Sequence, residues 1–147
     1  MQNQIYDIFS AARGGDTEKV LEFLSLGFDI GHKNTNGHSV LMISAYAGHY
    51  DLSKTLIEKG ADINSVDAKG NSIIMGVIFK GHNSVFDLLV SHGVNLEYIN
   101  PTGQTALDLA VMFGRRDFIF KINRQLKTNR SNGRLEQVKA WVNYVKF

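Results

Sequence analysis

Ten of the fourteen glycines in this 147-residue chain fall on three ladders that share one period of 33 residues. Gly15, Gly48, Gly81 and Gly114 form the first, Gly37, Gly70 and Gly103 the second, and Gly27, Gly60 and Gly93 the third. Gly14, Gly31, Gly76 and Gly133 stand outside them. Three ladders in one register mark a tandem array of a 33-residue unit. Units of this kind stack on their neighbours along one axis and commonly present an extended surface. The period therefore favours binding over catalysis as well as constraining the fold.

The second unit displays the local logic. Asn36-Gly37 reads as a turn, because glycine accepts positive φ without a Cβ penalty. Ser39 stands where a helix N-cap belongs, and Ser72 and Thr105 recur there one and two periods later. A short helix is predicted from about Val40 to Ala47, ended by Gly48. Leu52, Leu56 and Ile57 give a second helix its apolar stripe, and Gly60 suits a left-handed C-cap. Each unit reads as turn, helix, loop, helix.

These residues carry a family resemblance. Gly37, Ala45, Gly48-His49 and Gly60-Ala61-Asp62-Ile63-Asn64 are echoed by Gly81-His82 with Gly93-Val94-Asn95-Leu96. Gly103-Gln104-Thr105-Ala106-Leu107, Ala110 and Gly114 repeat the pattern again. Over roughly residues 4–125 the chain resembles an ankyrin-repeat protein. Ala45-Tyr46-Ala47-Gly48-His49, Phe79-Lys80-Gly81 and Met112-Phe113-Gly114-Arg115 are more particularly similar to small bacterial single-domain ankyrin proteins. The resemblance implies one all-α domain, an ankyrin-repeat solenoid of four helix–loop–helix repeats joined by β-turn or hairpin tips. The repeats fall at about 1–33, 34–66, 67–99 and 100–126.

The family's Thr-Pro-Leu-His tetrapeptide appears here as Ser39-Val40-Leu41-Met42, Ser72-Ile73-Ile74-Met75 and Thr105-Ala106-Leu107-Asp108. The capping hydroxyl is kept and its imidazole partner is lost. Gly76 occupies an inner-helix position where Ala would be about 1 kcal/mol more favourable, so the third repeat is expected to be softer than its neighbours. Leu126 stands where the third ladder would continue. Thr128-Asn129-Arg130-Ser131-Asn132-Gly133 then reads as a loop, after which Leu135, Val138, Trp141, Val142 and Val145 recur at helical spacing. Loop and helix, at 127–147, are expected to cap the open end of the stack; docking of a partner by the same stripe is the alternative.

In ankyrin proteins the turn tips and the concave inner-helix face contact partners. On the matching positions the resemblance points to Arg13, Tyr46, Phe79 and Met112, each 33 residues from the next, with Lys80 and Phe113 beside them. At the tips it points to Thr35, Asn36, His38, Lys69, Asn71, Thr102 and Gln104. Tyr, Phe, Met and Arg are enriched at interfaces, which suits a protein partner. The small bacterial proteins that the chain resembles often act on one specific partner, implying inhibition or protection of a partner enzyme.

Charge supplies a rival. Residues 115–147 carry nine Lys/Arg against two Asp/Glu, a net of +7, whereas residues 1–114 carry seven against twelve, a net of −5. Arg115, Arg116, Lys121, Arg124, Lys127, Arg130 and Arg134 offer a nucleic acid or another polyanion a salt-sensitive site, although no nucleic-acid motif accompanies them. The chain has no cysteine, which excludes disulfides, thiolate metal sites and cysteine nucleophiles. Its five histidines lack compact ligand spacing, and no Gly-x-Ser-x-Gly or phosphate loop occurs. No catalytic residue, metal or cofactor is expected. The N-terminus lacks the basic and apolar regions of a signal peptide, and no apolar run approaches a membrane span. A cytoplasmic protein, monomeric on its own, is expected, or a secreted or periplasmic one if a leader was removed.

Overall fold

A computed structural model describes residues 7–145, with the backbone alone for 137, 138 and 140–145. Among the described residues the chain forms eight helices. They are α1 (Ile8–Gly14), α2 (Thr17–Ser25), α3 (Val40–Tyr46), α4 (Tyr50–Glu58), α5 (Ile73–Lys80), α6 (Asn83–Ser91), α7 (Ala106–Met112) and α8 (Arg116–Val145). The odd helices stack in a row, α1 on α3, α3 on α5 and α5 on α7, and each packs on the even helix that follows it. The result is an all-α repeat solenoid. One hydrophobic core runs along it from Ile8 to Ile122, drawing on both rows.

Caps explain where the odd helices start. Ser39 Oγ accepts from Met42 N at 3.1 Å, and Thr105 forms a reciprocal capping box with Asp108. The Thr105 backbone N–H, then its hydroxyl, hold the Asp108 carboxyl below its ordinary 3.8. Ser72 has the same extended backbone as Ser39, φ −79° against −76°, yet its hydroxyl makes no cap bond and is buried without a partner. Thr105→Ala is therefore expected to cost about 1 kcal/mol in urea unfolding, and Ser72→Ala less than about 0.5 kcal/mol.

The ten ladder glycines are also the ten with positive φ; Gly14, Gly31, Gly76 and Gly133 are not among them. Conformation is only half of the reason for the first ladder. The His82 ring passes over Gly48, where a Cβ would stand 2.8 Å from His82 Cε1, and His82 Nε2 donates to the Tyr46 carbonyl at 2.9 Å. His49 does the same over Gly15, reaching Arg13 O at 2.8 Å. In the fourth repeat Arg115 takes the histidine's place, lying over Gly81 and donating from Nη2 to Phe79 O at 2.8 Å. His49 and His82 sit at the N-caps of α4 and α6 but leave them uncapped, because their rings tie each repeat to the one before.

The tips recur just as regularly. Asn34, Asp67 and Asn100, 33 residues apart, each accept two backbone N–H groups on one carboxyl or amide oxygen. Each tip also closes on itself, for example through Asn34 N to His38 O at 3.0 Å.

Two expectations are corrected at the C-terminus and in the third repeat. The expected loop over Thr128–Gly133 is helical, inside an α8 that runs unbroken for 30 residues. The run holds weak helix formers but no proline, and a lone Gly133 costs about 1 kcal/mol. Gln125 Nε2 donates to Asn129 Oδ1 one turn on, which supports the helix through this stretch, and Thr128 satisfies its hydroxyl on the Arg124 carbonyl. Leu135 is 57% exposed rather than packed over the last repeat; the side chains of Val138, Trp141, Val142 and Val145 lie outside those described. Gly76, where Ala was expected to be more favourable, instead receives the Tyr46 ring, which a Cβ there would overlap. Among the described residues no helix is long and apolar enough to cross a membrane.

Candidate functional site

The row of odd helices and the tips above it enclose a cleft of about 300 Å³ across the second to fourth repeats. Five of the residues expected at a partner site meet there: Tyr46, Asn71, Phe79, Gln104 and Phe113. Phe79 and Phe113 form an edge-to-face pair with ring centroids 5.1 Å apart, yet remain 54% and 39% exposed. Large aromatic surface left in water at the mouth of a cleft is the composition of a binding anchor. Lys80 Nζ stands 5.9 Å from the Phe79 ring centroid and does not line the cleft.

Tyr46 plays a different part. Its ring lies on Gly76, meets His38 edge-on at 5.7 Å, and its hydroxyl donates to Ser72 O at 3.5 Å. Burial first, and then the negative charge of Asp67, push its phenol well above the ordinary 10.0, so it stays a neutral donor. Tyr46 is thus the half-buried floor of the cleft rather than a free anchor. Met75, Leu109, Gly76 and Asp67 complete the lining. None of these four was singled out from the sequence for binding. The period locates their positions, but the lining depends on how far one repeat is rotated onto the next.

The remaining tip residues divide. Thr35, Asn36, His38 and Lys69 line a separate hollow of about 370 Å³ between the first two tips, with Asp67 3.9 Å from His38 Nε2. Thr102 lines neither hollow; its hydroxyl bonds to Asn100 and Gln104, both at 2.9 Å. Arg13 is exposed and lines neither, and Met112, 58% exposed, receives a long contact from Gln104 Nε2 at 3.8 Å. Of the expected strip of Arg13, Tyr46, Phe79 and Met112, the two ends thus lie outside the cleft. The cleft gathers its middle and adds Phe113.

The basic end is also sorted by geometry. Arg115 belongs to the packing between repeats three and four, its Nε buried. Lys121 pairs with Asp87 at 2.9 Å and bonds Asn83 at 3.3 Å. Arg116, Arg124, Lys127, Arg130 and Arg134 are exposed along α8, where Lys127, Arg130 and Arg134 share a hollow of about 630 Å³ with Ser131 and Leu135. Among the described residues no group of three His, Asp or Glu side chains is placed to hold a metal ion.

The sequence model of the family described as ankyrin repeats (3 copies) matches residues 8–97 and again 51–122. The chain belongs to the ankyrin-repeat family. Ankyrin repeats are generic protein–protein interaction modules, and the cleft lies within the matched region. A comparison with curated proteins returned no match.

Proposed function

We propose that this ankyrin protein is a non-catalytic module that binds one partner protein across the cleft of repeats two to four. The observation that carries the reading is the exposed Phe79–Phe113 pair over an otherwise packed floor. An apolar side chain of the partner packs against the exposed surface of this ring pair, while Asn71 and Gln104 at the tips supply hydrogen bonds at the rim. The rigid stack loses little conformational freedom on binding, which suits a module that covers a partner enzyme's surface and so inhibits or protects it.

Immobilised chain and mass spectrometry of the captured protein identify the partner, and calorimetry then measures affinity. Phe79→Ala and Phe113→Ala are each expected to weaken binding about 30-fold, the equivalent of about 2 kcal/mol, with an unchanged circular dichroism spectrum. Arg130→Glu is expected to leave affinity within about twofold. Full affinity in both folded phenylalanine variants sinks the reading. Loss of affinity confined to Arg130→Glu and to raised salt would assign a polyanion instead. A partner enzyme's rate, measured with and without stoichiometric chain, decides between inhibition and protection.

A further inference from the structure

The solenoid ends on an apolar face. One repeat earlier, Ile74 and Ile78 of α5 and Phe86 of α6 are buried where repeat four lies over them, with Phe86 4.7 Å from the Phe118 ring and Asp87 reaching across to Lys121. Their counterparts 33 residues on are Leu107, Val111, Ile119 and Phe120. Val111 is 59% and Phe120 69% exposed, and Leu107 and Ile119 are half-buried. Positions that pack on the next repeat elsewhere in the stack are thus apolar here and, among the described residues, uncovered.

The same chain carries a segment suited to such a face. Leu135, Val138, Val142 and Val145 follow the three-four-three spacing of a helical seam, with Trp141 beside them. The unbroken α8 carries that seam away from its own repeat. Among the described side chains Leu126 is the last of α8 packed on the core, and residues 127–136 are all exposed. At 1.5 Å per residue, Leu135 lies about 22 Å beyond Phe120 along the helix, and Val145 further still. In this arrangement the seam does not fold back on the terminal face of its own repeat.

We propose that residues 134–145 of one copy dock on the face of Leu107, Val111, Ile119 and Phe120 of a second copy, each chain supplying one face and one tail. The low charge of the tail agrees with this occupant, since residues 134–145 carry only Arg134 and Lys139 against Glu136, a net of +1, on their way to an apolar face. The hinge agrees as well. Thr128–Gly133 has the composition of a loop but is drawn out as helix, the arrangement by which an intramolecular contact is exchanged between protomers.

Sedimentation of the full chain across a concentration series tests the proposal, with emission of the single tryptophan, Trp141, read in parallel. A monomer–dimer equilibrium is expected, with Trp141 emission shifting to shorter wavelength as dimer accumulates. Phe120→Lys on the exposed face and Val142→Lys in the tail are each expected to weaken the dimer at least tenfold, with the repeat fold intact by circular dichroism. A chain that stays monomeric across the series overturns the proposal, whether its Trp141 is buried throughout against its own repeat or exposed throughout. A dimer unaffected by either substitution overturns it as well.

Discussion

Gly37→Ala is expected to destabilise the chain by about 2–5 kcal/mol, whereas Gly103→Ala, at the same place two repeats on, is expected to cost only about 1–2. Both glycines are left-handed, with φ of +75° and +81°, so an alanine pays the same conformational penalty at each. Their surroundings differ. A Cβ on Gly37 would overlap the backbone nitrogen of Ala68 in the next tip, where Ala68 N donates to Asn36 O at 3.1 Å. Backbone cannot swing aside as a side-chain end can, so the tip would separate and that bond between repeats would be lost. A Cβ on Gly103, in the last tip, meets nothing within 4 Å. Urea unfolding followed by far-UV circular dichroism measures both variants, and equal losses would show that the tips are not in contact as described. Against a typical total stability of about 5–15 kcal/mol, the larger loss brings the chain close to unfolding.

The contrast also marks what a sequence of this kind reveals. The period, the helix pairs and the caps at Ser39 and Thr105 were legible, because each is written in residues within one repeat. Contacts between repeats were less so. Nothing local to Gly48 announces that His82 lies over it, although the shared spacing of Gly48-His49 and Gly81-His82 contained the clue. The same blindness placed Arg115 with the exposed cations, when its spacing from Gly81 matches that of His82 from Gly48. At the candidate site the sequence located Phe79 and Phe113 but treated Tyr46 as their equal. Its half-buried state depends on the absent side chain at residue 76, one repeat away. The C-terminal difference has another origin: five weak helix formers around Arg130 read as a loop, while the helix runs on through them with an i,i+4 contact between Gln125 and Asn129.

Gly76→Ala separates local propensity from packing most directly, because the two predict opposite signs. Propensity alone favours alanine in the middle of α5 by about 1 kcal/mol. Gly76 does not have positive φ, so no backbone strain enters. The Tyr46 ring, however, occupies the space of the new methyl, and moving it breaks the bond to Ser72 O and the edge-on contact with His38. Overpacking of this kind costs about 1–3 kcal/mol, here towards the upper end, which leaves a net loss of about 2 kcal/mol. In a Tyr46→Ala background the obstacle is gone, and Gly76→Ala is expected to stabilise by about 1 kcal/mol. A double-mutant cycle in urea measures that reversal; additive effects of one sign would remove the ring from its assigned seat. The cycle bears on binding too. A Tyr46 ring displaced from Gly76 has the cleft beside it to enter, so Gly76→Ala should weaken a partner packed on the Phe79–Phe113 pair without altering either phenylalanine.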